Sequence, residues 1–186
     1  MSEFRWLFGT IRDYEDRSLY DDLLLPWLHA NADCANWLRL FAGTSGSLIP
    51  VASREDLWDL YALSRVNDRL LLPYQPDRRG WPVPVVSISE YTAFMTALGF
   101  RVVEAARFSA FLHEIVEVEQ SDEIDREIGL LTEFWPALML GPMLFSRAGV
   151  GVVGGMRHVS KAVAENSTLY WTYARRNRPC SDLSHG

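Results

Sequence analysis

The spacing of apolar residues changes once along this chain, and that change limits the folds it can adopt. Before residue 100, apolar side chains recur every three or four residues, as they do on one face of an α-helix. From Phe100 the period shortens toward two, as in a half-buried β-strand. Helices followed by strands predict an α+β fold, in which N-terminal helices pack on a mostly antiparallel sheet formed by the C-terminal half.

The predicted helices carry recognisable signals at their ends. One helical stretch covers residues 18–41, and Pro26 should kink or split it because proline lacks a backbone N–H. Ser53, followed three residues later by Asp56, is a capping-box pattern that predicts the start of another helix. Ser89 is expected to cap the short helix that precedes the strands.

The strands are predicted from alternation and from the turn residues that interrupt it. The first two should form a hairpin through a turn near Ser109. The second should place alternate residues on opposite faces, Glu114, Val116 and Val118 against Ile115, Glu117 and Glu119. The predicted strands cover residues 100–108, 112–119, 128–135 and 138–153, the last of them divided near Gly141.

Length and composition predict a single globular domain over residues 1–186. A hydrophobic fraction of 48% argues against disorder, and one domain is the expectation for a chain of this length. We expect a helical part (1–99), a sheet-rich part (100–156) and a final helix with a tail (157–186).

The charge of the chain is concentrated in two segments. The formal net charge is −6, with a net charge of −7 over residues 81–140 and +4 over residues 141–186. A run of acidic side chains could meet a basic surface on a partner protein, because complementary potentials steer association. A solvated turn is the alternative interpretation, and the run lacks the loop glycine and final glutamate of a calcium-binding loop. The candidate partner-binding residues in this run are Glu117, Glu119, Asp122, Glu123 and Asp125.

A proline-rich loop over residues 73–84 carries the sixth candidate residue, Trp81. A tryptophan on a stiff loop can anchor a protein interface, because it is large and loses little conformational freedom on binding. The alternative is that Trp81 fills the core beneath the loop.

Three glycines, Gly149, Gly151 and Gly154, match the G-x-G-x-x-G pattern of dinucleotide-binding turns. Such a turn would seat a pyrophosphate on helix N–H groups, and Arg175 or Arg176 could meet a 2′-phosphate. Too few residues follow for the rest of a dinucleotide-binding fold, and a glycine-rich strand end or bulge is the alternative. We therefore assign no cofactor.

No established catalytic motif is present in the sequence. It contains no G-x-S-x-G, H-E-x-x-H, Walker A or C-x-x-C pattern. Its four histidines do not cluster, so no metal ligand set is predicted. A small hydrolase or transferase could still assemble from scattered residues, of which His113, Glu117 and His158 are the candidates.

The C-terminal segment interleaves arginines with aromatic residues, a composition found on surfaces that bind nucleic acid. The overall negative charge argues against nucleic acid as the main partner. The alternative is that Arg175, Arg176 and Arg178 pair with the acidic middle of the chain.

The remaining features predict a cytoplasmic protein outside the membrane. Cys34 and Cys180 are too few for a disulfide scaffold, and the start of the chain lacks the pattern of a secretory signal. No apolar run approaches the ~18 residues of a membrane span. We therefore expect a non-catalytic bacterial protein-interaction module, such as an immunity or inhibitor protein that covers a partner. A small enzyme or a nucleotide-binding protein is the alternative.

Overall fold

The structure, a computed structural model, describes residues 2–14, 18–43, 51–76, 83–176 and 178. Helices come first and strands follow, which confirms the α+β class. The described helices are α1 (Glu3–Arg12), α2 (Leu25–Ala30), α3 (Ala32–Gly43), α4 (Arg54–Leu70), α5 (Ile88–Ala97) and α6 (Lys161–Ala164). The described strands are β1 (Arg101–Val103), β2 (His113–Gln120), β3 (Gly129–Trp135), β4 (Ala137–Leu140), β5 (Met143–Ser146) and β6 (Ala148–Gly154).

The chain forms two compact units. Unit 1 comprises Met1–Pro73, Pro82–Val102 and Leu138–Ser146, and unit 2 comprises Tyr74–Trp81, Val103–Ala137 and Arg147–Gly186. Most of the helices lie in unit 1, and the sheet with the predicted acidic residues lies in unit 2. That residues 1–186 form one domain stays a prediction.

Local signals set the helix ends in unit 1. The capping box at Ser53 is confirmed, since the Ser53 hydroxyl accepts the Asp56 N–H and the Asp56 carboxylate accepts the Ser53 N–H. The cap predicted at Ser89 is wrong, and Ser87 caps α5 instead. The reason is spacing: Ser87 has Glu90 three residues later, which returns the second hydrogen bond of the box.

The split predicted at Pro26 is wrong: Leu24 and Leu25 both keep right-handed helical angles, so the helical stretch runs through Pro26 and breaks at Asn31, between α2 and α3. A π-helical turn over Tyr20–Leu24 precedes α2, and Pro26 occupies the first turn of α2. Buried hydrogen bonds also connect α5, α4 and β5 within unit 1. The Tyr91 hydroxyl donates to Oδ1 of Asn67, and the Asn67 amide donates to the Ser146 hydroxyl.

The main sheet of unit 2 has the strand order β2–β6–β3. Strand β6 pairs parallel with β2 and antiparallel with β3. The predicted hairpin near Ser109 is therefore wrong, because β1 belongs to the other sheet, whose order is β1–β4–β5. A parallel pair needs a long connection, and the segment from β2 to β6 supplies it.

A bulge in β2 changes which side chains share a face. The register with β6 shifts between Ile115 and Glu117, so Val116 is the extra residue. Glu114 therefore faces the same side as Glu117, rather than the side of Val118 as alternation predicts. On the opposite face a hydrophobic cluster forms the core of unit 2, and it includes Val118, Ala137, Ala148, Val150, Val152 and Val159.

Candidate functional site

A groove of about 600 Å³ lies against the β2–β6–β3 sheet, entirely within unit 2. Exposed carboxylates of β2 line one wall, and exposed residues of β3 line the other. We call this feature the acidic groove. It is lined by Glu117, Val118, Glu119, Leu131, Thr132, Gly151, Val152, Lys161 and Glu165.

The floor of the acidic groove is open because the central strand has a glycine there. In register, Gly151 pairs with Glu117 of β2 and with Thr132 of β3, so the three residues lie side by side. A Cβ on Gly151 would lie 3.6 Å from Cβ of Thr132 and 3.7 Å from the Phe134 ring, which are ordinary contacts. Packing therefore does not require the glycine, and its absent side chain leaves space between the walls.

Helix α6 is fixed against the edge of β2. The buried Glu165 accepts the Val118 N–H at 2.9 Å, and Lys161 Nζ lies 3.7 Å from the same carboxylate oxygen. The Gln120 side chain accepts the Lys161 N–H and donates to the Gly154 carbonyl. These contacts hold a helix of only four residues. Lys161 offsets Glu165, so Glu117 and Glu119 leave the groove negative.

The acidic loop, residues 121–127, follows β2 directly. Its members Asp122, Glu123 and Asp125 are exposed, as the sequence predicts for a solvated turn. Asp125 accepts a hydrogen bond from Arg157 at 2.6 Å, and both side chains remain mostly exposed. Exposed ion pairs of this kind contribute little to stability. The loop thus keeps most of its negative charge available to solvent.

Backbone contacts fix the position of the acidic loop. The Arg157 N–H donates to the Ile124 carbonyl, and the Arg126 N–H donates to the Glu123 carbonyl. A Cβ on Gly155 would overlap the carbonyl groups of Glu123 and Ile124. A glycine at this position therefore allows the loop to approach the end of β6.

The glycines of the predicted nucleotide-binding turn lie in a strand instead. Gly149, Gly151 and Gly154 all belong to β6, which is paired on both sides. Gly149 lies beneath the Trp135 ring, and Gly154 lies against Val159. Their placement in a turn before a helix is wrong, because residues 148–154 complete a sheet. The strand alternative weighed for this motif fits the structure.

The three candidate catalytic residues lie in different environments. His113 is 5% exposed, and its Nδ1 accepts the Ser109 N–H at 2.9 Å. Burial lowers the pKa of His113 below its ordinary value of 6.5. Glu117 and His158 are exposed, and no hydrogen bond joins any two of these three described residues. The pattern of a base held by a nucleophile or by a second acid is therefore not formed among them.

A buried ion pair joins Arg175 to Glu114, a residue that the sequence analysis did not single out. Arg175 Nε lies 2.7 Å from Oε1 and Nη2 lies 2.9 Å from Oε2, a bidentate geometry. The two side chains are 1% and 3% exposed, respectively. For Arg175, the predicted pairing of C-terminal arginines with acidic residues is confirmed. The available signal was a glutamate on the apolar side of an alternating strand, which needs a partner when buried.

Aromatic rings surround that ion pair. Trp171 Nε1 lies 3.4 Å from Oε2 of Glu114, and the Arg147 guanidinium lies 4.1 Å from the Trp171 ring centroid. The Arg175 guanidinium lies 5.6 Å from the centroid of Trp135. Cation–π contacts and the ion pair together hold residues of the C-terminal segment on the face of the sheet.

The predictions of an interface anchor at Trp81, of no metal ligand set and of no membrane span can be compared with the structure only where it describes the chain. Trp81 lies outside the described residues. Within the ranges that the structure describes, no group of three or more histidine, cysteine, aspartate or glutamate side chains could hold a metal ion. No helix in those same ranges combines the length and apolar character needed to cross a membrane.

Comparison with known proteins does not extend these observations. The chain matches no protein-family model, no curated protein and no solved structure. The functional assignment therefore depends on the geometry and charge of the site.

Proposed function

We propose that this chain is a non-catalytic protein-interaction module whose acidic groove binds a basic segment of a partner protein. The observation that carries the proposal is that two exposed carboxylates, Glu117 and Glu119, line the same groove as the open floor at Gly151. An immunity or inhibitor protein of bacterial origin would work in this way, by covering a functional surface of its partner.

The charge around the groove supports a basic partner. Glu117 and Glu119 lie on the groove wall, and the exposed Asp122 and Glu123 follow in the acidic loop. None of these four has an ion pair among the described residues. Charged patches of one sign speed association with a patch of the opposite sign and disfavour other partners.

The shape of the groove supports a peptide segment with long basic side chains. Leu131 is 53% exposed on the wall opposite the carboxylates. Lysine and arginine side chains bury their aliphatic stems on apolar surface while their charged ends stay polar. A basic side chain across Gly151 could therefore contact Leu131 along its stem and Glu117 at its end.

Charge removal and groove filling test the proposal separately. The probe is a displayed library of random peptides, selected on the wild-type protein, with the selected peptides then measured by titration calorimetry. We expect selection to enrich basic peptides. The double variant Glu117→Gln/Glu119→Gln should weaken their binding about tenfold, because each exposed charge pair contributes up to about 1 kcal/mol. Gly151→Val should weaken it without any change of charge.

A matched variant controls for overall charge. Asp33→Asn/Glu55→Gln removes two exposed carboxylates from unit 1 and should leave peptide affinity unchanged. Enrichment of acidic or uncharged peptides would contradict the proposal. Equal losses in the groove variant and the control variant would also contradict it, because the effect would then follow net charge alone.

A further inference from the structure

A second concave site lies in unit 1, between α1 and the helical stretch that contains α2. Its volume is about 400 Å³, within the range of small-molecule sites. Leu23, Pro26, Trp6 and Trp27 supply apolar lining, and Glu3 and Asp22 supply the acidic residues. We call it the unit 1 pocket, and it shares no residue with the acidic groove.

Two acidic residues from different elements line this pocket. Glu3 comes from the first turn of α1, and Asp22 comes from the π-helical turn before α2. The Tyr14 hydroxyl donates to Oδ2 of Asp22 at 2.7 Å, which orients that carboxylate. No lysine or arginine is among the described residues that line the pocket, so neither carboxylate is neutralised from within it.

Aromatic side chains complete a lining suited to a cation. Trp6 is about half exposed, and Trp27 is buried where it packs on Phe4 and Phe94. Tryptophan rings offer large apolar surface against which an aliphatic stem can pack. Apolar rings together with carboxylates favour a positive charge on an apolar body over a neutral or negative one.

We propose that the unit 1 pocket binds a small organic cation, a primary ammonium group on an apolar stem. The ammonium group lies between Glu3 and Asp22, and the stem lies against Trp6, Trp27 and Leu23. This site does not depend on the function proposed for the acidic groove, because the two sites lie in different units.

Titration with hexylammonium tests the proposal, with hexanol and hexanoate as neutral and anionic controls. The readout is the indole N–H signals in a proton–nitrogen correlation spectrum, assigned through single Trp→Phe variants. We expect hexylammonium to shift the Trp6 and Trp27 signals saturably, while the signal of Trp58 on α4 stays in place and reports the intact fold. Hexanol and hexanoate should bind at least several-fold more weakly.

Isosteric variants test the role of the carboxylates. Glu3→Gln/Asp22→Asn should weaken hexylammonium binding about fivefold, as expected for two exposed charge pairs. Asp21→Asn removes the neighbouring carboxylate, which the pocket does not include, and should leave affinity unchanged. Equal binding of hexanol, or an unchanged affinity in the double variant, would overturn the proposal. Tighter binding of a lysine-containing peptide than of hexylammonium would also overturn it, because the occupant would then be a protein side chain.

Discussion

Burial of His113 links the stability of the fold to pH. Its imidazole accepts the Ser109 N–H through Nδ1, a contact that only the form unprotonated at that nitrogen can make. Burial lowers its pKa below 6.5, so the folded state binds the proton less readily than the unfolded state. Protonation therefore favours unfolding.

We expect the His113 contribution to the free energy of unfolding to fall as the pH drops below about 6.5, and to level off below the folded-state pKa of His113. His113→Gln should remove this part of the pH dependence, whereas His158→Gln, at an exposed histidine, should keep it. Urea unfolding at a series of pH values measures the effect. Parallel pH profiles for wild type and His113→Gln would show that another group is responsible.

Single residues also show what the sequence could not reveal. The sequence marks His113 as a titratable group and Glu114 as a charge beside apolar residues. It does not show that His113 packs on Phe108, or that the partner of Glu114 is 61 residues away. Burial and long-range pairing are properties of the folded chain, so His113 was predicted as a catalytic candidate and Glu114 was not singled out.

At the scale of elements, two glycines of β6 have opposite tolerance for a side chain. A Cβ on Gly149 would lie 2.5 Å from Cδ2 of Trp135, whereas a Cβ on Gly151 makes only ordinary contacts. Trp135 is buried and donates its Nε1–H to the Arg147 carbonyl at 2.9 Å, so the ring has little room to move. The same strand thus contains one glycine that packing requires and one that it does not.

Gly149→Ala should lower the free energy of unfolding by about 2 kcal/mol or more, in the range for overpacked cores. Gly151→Ala should cost nothing or add up to about 1 kcal/mol, because alanine restricts the unfolded chain more than glycine does. Urea unfolding compares the two variants. Similar losses at both positions would mean that the Trp135 contact does not limit the strand.

Element prediction succeeded where the signal was local. The capping box at Ser53 follows from a few neighbouring residues, and the structure bears it out. The hairpin near Ser109 failed because β2 pairs with β6, far along the chain. The bulge at Val116 also escaped prediction, since it depends on the register with that distant strand. The carboxylates of the β2 wall of the acidic groove could be predicted, but the β3 wall and the glycine floor could not.

At the scale of the whole molecule, part of the charge separation is internal to unit 2. Glu114 pairs with Arg175, and Asp125 pairs with Arg157 across 32 residues of sequence. Glu117 and Glu119 of β2, and Asp122 and Glu123 of the acidic loop, face solvent instead. Composition predicts the amounts of charge, whereas only the fold divides them between ion pairs and free surface.

The buried ion pair should behave as one unit in unfolding experiments. Glu114→Leu or Arg175→Met alone should each cost about 3–5 kcal/mol, because each leaves a charge buried without its partner. The double variant should cost much less than the sum of the two. A double-mutant cycle by urea unfolding measures this coupling. Additive losses would show that the two side chains contribute independently.

The position of β6 in the sequence has a consequence for how the protein is made. β6 is the middle strand of its sheet, yet it is synthesised after both of its neighbours. The Gln120 side chain can form its hydrogen bond to the Gly154 carbonyl only after the ribosome has added 34 more residues. During that interval β2 and β3 would be exposed edges, which invite aggregation. The acids on β2 and in the loop between these strands repel a second nascent chain. We expect them to act as gatekeepers during translation as well as in the finished protein.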